Sequence, residues 1–183
     1  ITSGPWRAEA IVDLDSAKRV AYIRGVGREE GENPYYSHLY RVNIDNGAIT
    51  LLNPGHANHT TAAGALSPSK RYLVDVHSRV DLEPSAEVRD ATTGAKLMDL
   101  ETMDLARLKE IGWQAPSTFV VKAADGVTDI YGNMWKPFDF DSTKKYPIIA
   151  HVYPGPQTES VTPGFSATAT NQRLPLTTPT RPG

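Results

Sequence analysis

Between residues 9 and 100 the chain runs through short segments in which apolar and polar positions alternate. EAIVDLD (9–15), RVAYIRGV (19–26), HLYRVNID (38–45) and AITLL (48–52) form one series. AAGALS (62–67), RYLVDVHSRVD (71–81), AEVRDA (86–91) and AKLMDL (95–100) form a second. Alternation with a period of two predicts strands, because successive side chains on a pleated strand point to opposite faces. Turn formers punctuate the series at Asp15-Ser16, Asn46-Gly47, Pro68-Ser69 and Thr93-Gly94.

The two series resemble each other. LDSAKRV (14–20) aligns with LSPSKRY (66–72), and DNGAITLL (45–52) with TTGAKLMDL (92–100). Four strands per copy, repeated about every 50 residues, suit the blades of a β-propeller; a duplicated antiparallel sandwich is the alternative. Two blades cannot close a ring and would leave sheet edges and apolar faces uncovered, so a propeller reading expects further blades outside these residues.

Past residue 101 the pattern changes. TMDLARLKEIG (102–112) places Leu105, Leu108 and Ile111 on one helical face, with Thr102 as a cap and Gly112 as a stop. FVVKAAD and DIYGNMWKP flank Asp125-Gly126, a hairpin signal. YPIIAHVY (146–153) is an unalternated apolar run, as expected of a strand buried on both faces of an α/β sheet. RLPLTTPTRPG (173–183) has neither period nor core and reads as an unstructured or aberrant tail. The expected organisation is mostly β: two blades over 1–101, a helical linker over 102–117, the start of an α/β domain over 118–172, and the tail.

Composition changes this picture little. Of 183 residues, 39% are hydrophobic and 22% charged, and the net charge of −2 gives no case for a nucleic-acid partner. With no cysteine, disulfides, zinc–thiolate sites and thiol nucleophiles are excluded. No apolar run approaches membrane-spanning length.

Candidate chemistry is sparse, and no motif calls for a cofactor. Gly164-Phe-Ser166-Ala-Thr168 is the nearest approach to G-x-S-x-G but lacks the second glycine and the strand–turn–helix context, so Ser166 reads as a loop serine. None of the five histidines forms a helical ligand pair. His56 and His59 have a suitable spacing but lie in PGHANHTT, which reads as a loop, and no metal site is expected there. His151 alternates inside the apolar run and reads as a core or second-layer residue rather than a base. Gly25-Val-Gly27-Arg-Glu-Glu-Gly31 reads as a polar hairpin loop rather than a dinucleotide loop, with Glu29-Glu30 solvated. Asp139 and Asp141 are too few for calcium. Asn58-His-Thr60 is a formal glycosylation sequon. Tyr153 ends the apolar run before the stiff Pro-Gly-Pro corner; a phenol there packs, or donates a hydrogen bond to a developing oxyanion.

Four segments carry a family resemblance: TSGPWRAEAIVDLD (2–15), YYSHLYRVNID (35–45), LSPSKRYLVDVHSRVD (66–81) and, most specifically, FDFDSTKKYPIIAHVYPGPQTESV (138–161). Over about residues 1–172 the chain resembles dipeptidyl peptidase IV and its bacterial relatives within the prolyl oligopeptidase family of serine peptidases. The resemblance implies the last blades of a β-propeller followed by the first strands of an α/β-hydrolase domain. It implies that Tyr153 is the oxyanion-hole tyrosine, and that the Ser, Asp and His of the triad lie beyond the matching segment, so none is assigned here. The parent enzyme would release dipeptides from peptide N-termini, often after proline, through an acyl-enzyme. It could be a homodimer, in a periplasmic, secreted or membrane-anchored setting. These 183 residues alone are expected to be inactive; a non-catalytic propeller-type interaction module is the rival reading.

Overall fold

The computed structural model describes residues 2–137, 139–152 and 161–167. The chain divides into two compact units, Ile1–Arg79 with Glu83–Met103, and Val80–Leu82 with Asp104–Gly183.

The first unit is built from two four-stranded antiparallel sheets, each a simple meander. Strands β1 (Arg7–Asp15), β2 (Val20–Val26), β3 (Ser37–Asn43) and β4 (Ile49–Leu51) make one sheet. Strands β5 (Asn58–Thr60), β6 (Tyr72–Arg79), β7 (Leu82–Asp90) and β8 (Lys96–Thr102) make the other. The period-two pattern explains the packing. Val20 and Tyr22 on β2 and Leu39 on β3 point to one face and form a core with Leu52, Leu66, Leu73 and Ala91. Ala21, Ile23, Tyr40 and Val42 point to the opposite face and pack with Trp6, Ile49 and Leu51. The central strands of the first sheet are thus clothed on both sides. An ion pair between Lys70 and Asp13 ties the connection before β6 to β1.

The repeat extends to atomic detail. In the β3–β4 hairpin, Asn43 Oδ1 accepts the Asp45 and Asn46 amides, and the Gly47 N–H donates to the Asn43 carbonyl. In the β7–β8 hairpin, Asp90 Oδ1 accepts the Thr92 and Thr93 amides, and the Gly94 N–H donates to the Asp90 carbonyl. Both glycines have positive φ, 72° and 78°. Gly94 also lies against the preceding segment: an added Cβ would stand 2.5 Å from the Leu51 carbonyl oxygen.

Three expectations change. AAGALS forms no strand, only an isolated bridge between Leu66 and Leu73; the first strand of the second copy is β5, four residues earlier. Ala65 and Leu66 of that segment still join the core, while NHT, with its buried His59, makes the ladder with β6. The helix α1 is confined to Ala106–Glu110, because β8 runs on to Thr102 and takes the expected cap into a ladder. Asp104 Oδ1 instead accepts the Ala106 N–H. The stop is as expected: Gly112 (φ 83°) donates to the Lys109 carbonyl and Trp113 to that of Leu108, the paired bonds of a Schellman ending. Third, residues 146–152 form no strand, and Ile148 is 92% exposed. A strand of a parallel sheet takes its hydrogen bonds from neighbours on either side, and no described strand offers it a ladder.

Among its described residues the second unit contains one hairpin, β9 (Ser117–Lys122) with β10 (Asp129–Met134). Asp125 Oδ1 accepts the Val127 and Thr128 amides in its turn, and Gly126 takes a positive φ of 71°. Gly132 faces Phe119 across the ladder, whose ring occupies the space a Cβ would need. The expected α/β-hydrolase start is not seen as a sheet among the described residues.

Candidate functional site

Polar side chains cluster where the second sheet faces the first. The β5–β6 register sets His59 directly opposite His77. Asp75 lies two residues before His77 on β6 and so shares its face. His59 Nδ1 is 2.8 Å from Asp75 Oδ2, and His77 Nδ1 is 3.2 Å from the same oxygen. Asp75 Oδ1 accepts the Asn53 side-chain amide at 2.8 Å. Asn53 Oδ1 in turn accepts the Leu39 backbone N–H, so the cluster is anchored to β3.

The network extends in both directions. His38 on β3 places Nδ1 3.1 Å from the Asn53 carbonyl and Nε2 2.9 Å from Glu32 Oε2. The His38 and His59 rings lie 4.8 Å apart, those of His59 and His77 5.3 Å. Beyond His77, Glu87 Oε1 accepts Arg89 Nε at 2.5 Å, and Arg89 donates to the carbonyls of Gly94 and Pro54. His38, His59, Asn53 and Asp75 are all buried. Buried polar groups require partners, and this seam supplies them.

The Asp75 carboxyl is held below the usual carboxylate range. Burial alone would push it up, but the hydrogen bond and charge of His59, with the Asn53 amide and His77, outweigh that effect. The Tyr40 hydroxyl is pushed well above its ordinary value, first by burial and then by Glu29, to which it donates at 3.2 Å. Two imidazoles converging on one fixed carboxylate oxygen can hold a proton or a metal ion.

Residues 1–84 match the family described as dipeptidyl peptidase IV (DPP IV) N-terminal region. Dipeptidyl peptidase 8 of Homo sapiens is 26% identical over 181 residues, covering 90% of this chain and 19% of that protein. Dipeptidyl peptidase 4 of Trichophyton equinum is 25% identical over 171 residues, covering 91% of this chain and 21% of that protein. A crystal structure from Bacteroides ovatus, provisionally named as a dipeptidyl aminopeptidase IV, superposes with a TM-score of 0.68 at 30% identity. It covers 90% of this chain and 22% of that one.

The chain is similar to dipeptidyl peptidase IV and its relatives.

The chain spans about a fifth of the length of these relatives. Tyr153, its expected oxyanion donor, lies outside the described residues, as does the tail 173–183. Ser166 is half-buried in a segment, 161–167, with neither strand nor helix, and its neighbour Phe165 packs against Trp113. His151 is exposed, which corrects the reading as a core or second-layer residue, because no described strand pairs with its segment. His56 stays in its loop, its ring edge-on to Tyr36, whereas His59 belongs to a strand and is buried. Glu29 serves Tyr40 and lies 3.7 Å from Arg28. Asp141 binds the Thr143 amide and hydroxyl within its own turn, which holds its carboxyl below the usual range. Asn58 Oδ1 accepts the Ser37 N–H.

The sequence reading missed Asp75 and His77. Their signal was present: in VDVHS the polar residues alternate with valines, so they share one face of an apolar strand. What pairs them with His59 is a long-range register.

Proposed function

We propose that this chain supplies the last two propeller blades and the opening of the α/β-hydrolase domain of a dipeptidyl peptidase IV-like serine peptidase. The boundaries are 1–101 for the blades, 102–117 for the linker and 118–172 for the hydrolase start. The observation that carries this reading is the family match over residues 1–84, within relatives aligned to about 90% of the chain. The two four-stranded meanders have the strand count and order of blades. The whole protein's reaction is acyl transfer to water: a serine ester forms, a dipeptide leaves from a free peptide N-terminus, and Tyr153 donates to the oxyanion.

On this reading the 183 residues alone do not turn over substrate, because a triad needs a nucleophile, a base and an orienter, and none is assigned here. The test is an assay with Gly-Pro-p-nitroanilide and labelling with a fluorophosphonate probe. No hydrolysis and no labelling are expected. Stoichiometric labelling of Ser166 would overturn the reading. Tyr153 is tested in a chain that joins this segment to a Ser-Asp-His triad. There Tyr153→Phe should lower kcat by roughly 100- to 1000-fold; an unchanged kcat removes Tyr153 from the oxyanion hole.

A further inference from the structure

We propose that His59, Asp75 and His77 form a binding site for a divalent transition-metal ion, Zn²⁺ by ligand type, that staples β5 to β6. One ligand atom from each of His59, Asp75 and His77 lies within 4.8 Å of the other two. Zinc bonds of about 2.0–2.1 Å in tetrahedral geometry set neighbouring ligand atoms about 3.3 Å apart. The two nitrogen–oxygen separations here, 2.8 and 3.2 Å, are close to that spacing. Two imidazole nitrogens and a carboxylate are a donor set suited to zinc and its first-row neighbours.

The surroundings match what a metal site requires of its outer shell. A ligating histidine ordinarily donates its other N–H to a carbonyl or carboxylate, and a ligating carboxylate is itself hydrogen-bonded. His59 Nε2 lies 3.2 Å from the Gly55 carbonyl, and the Asn53 amide holds Asp75 Oδ1. His59 Nδ1 thus faces Asp75 Oδ2 at 2.8 Å, on the side where an ion would be held. His59 and Asp75 are buried, while the His77 side chain is 22% exposed, so an ion and a solvent ligand would approach from the His77 side. Glu87, 3.9 Å from His77 Nδ1, is engaged by Arg89.

The ligand set is not something the repeat itself demands. In the first copy the aligned positions are Ile23 and Gly25, in a sheet of the same order. A staple also answers a local weakness, since β5 has only three residues and three register pairs with β6.

The experiment is a titration of the metal-stripped 183-residue chain with Zn²⁺ and Co²⁺. Long-range ¹H–¹⁵N spectra of the histidine side chains are recorded alongside. One equivalent should bind, with the Nδ1 signals of His59 and His77 shifting and those of His56 and His151 unmoved. His77→Phe, which keeps a ring in place, should weaken binding by ~10-fold or more, and His151→Ala should leave it unchanged. Failure to take up Zn²⁺ in excess, or uptake that moves other histidines and is indifferent to His77→Phe, would overturn the proposal and leave a proton bridge. The spectra of the unaltered chain decide the matter even if the variant does not fold.

Discussion

The two sheets of the first unit share strand order, hairpin chemistry and much of their residue pattern, yet differ in what covers them. On β2, Val20 and Tyr22 are 1% and 2% exposed; at the aligned positions on β6, Tyr72 and Val74 are 43% and 40% exposed. The first pair is covered by the second sheet, through Leu66, Leu73 and Ala91, whereas no described sheet covers the second pair. The opposite faces differ in chemistry. Ile23 packs with Tyr40 and Val42, and Gly25 lies under Trp6; Asp75 and His77, aligned with them, join a polar network. A strand pattern therefore specifies two faces, and the neighbouring sheet determines whether each becomes core, seam or exposed surface. The exposed Leu97, Met98 and Leu100 of β8 belong to the same uncovered sheet.

Exchanging residues between the copies breaks this comparison most sharply. Asp75→Ile writes the first copy's residue into the second and leaves His59 and Asn53 without their buried acceptor. Loss of one partner from a buried charged pair costs about 3–5 kcal/mol. Urea unfolding followed by tryptophan fluorescence measures it, and a neutral result would reduce the seam to ordinary packing.

The reverse exchange is limited by space. A Cβ on Gly25 would stand 2.4 Å from the Trp6 ring and 2.9 Å from the Arg7 carbonyl oxygen. Gly25→Ala should therefore cost about 1–3 kcal/mol as an overpacking change, read as a lowered thermal midpoint. A tolerated alanine would mean that Trp6 does not constrain β2.

The smallest effect separates the two hairpins by pH. Asp90 and Asn43 make the same turn, but only Asp90 titrates. The amides of Thr93 and Thr92 hold its carboxyl below the usual value. A depressed carboxyl contributes stability that is fully present above the unfolded value, about pH 4, and is lost as pH falls through the folded value. Asp90→Asn should flatten the acid side of the stability profile to a small degree, and Asn43→Asp should steepen it. Identical acid profiles for all three chains would contradict the shared turn chemistry.

Much of the first unit was legible in the sequence because its information is local. Seven of the eight strands follow from alternation and turn residues, since hairpins join neighbours and the copies reinforce each other. The exception, β5, is a three-residue strand whose one buried side chain gives no periodicity to read. The longer expected helix lost its first turn because pairing of β8 with β7 outcompeted a cap. YPIIAHVY had the composition of a buried strand, but hydrophobicity states only that a segment suits burial. His59 illustrates the same limit, since as one of two histidines in a turn-rich segment it had no visible partner.

By itself the sequence determined the strand periodicity, the duplicated turns and the family likeness, because each is written in residues close together along the chain. Tertiary structure alone decided which faces became core and that His59, Asp75 and His77 converge. Those outcomes depend on register and on neighbouring sheets, which bring together groups far apart in the chain, and burial then sets the chemistry of the groups that meet.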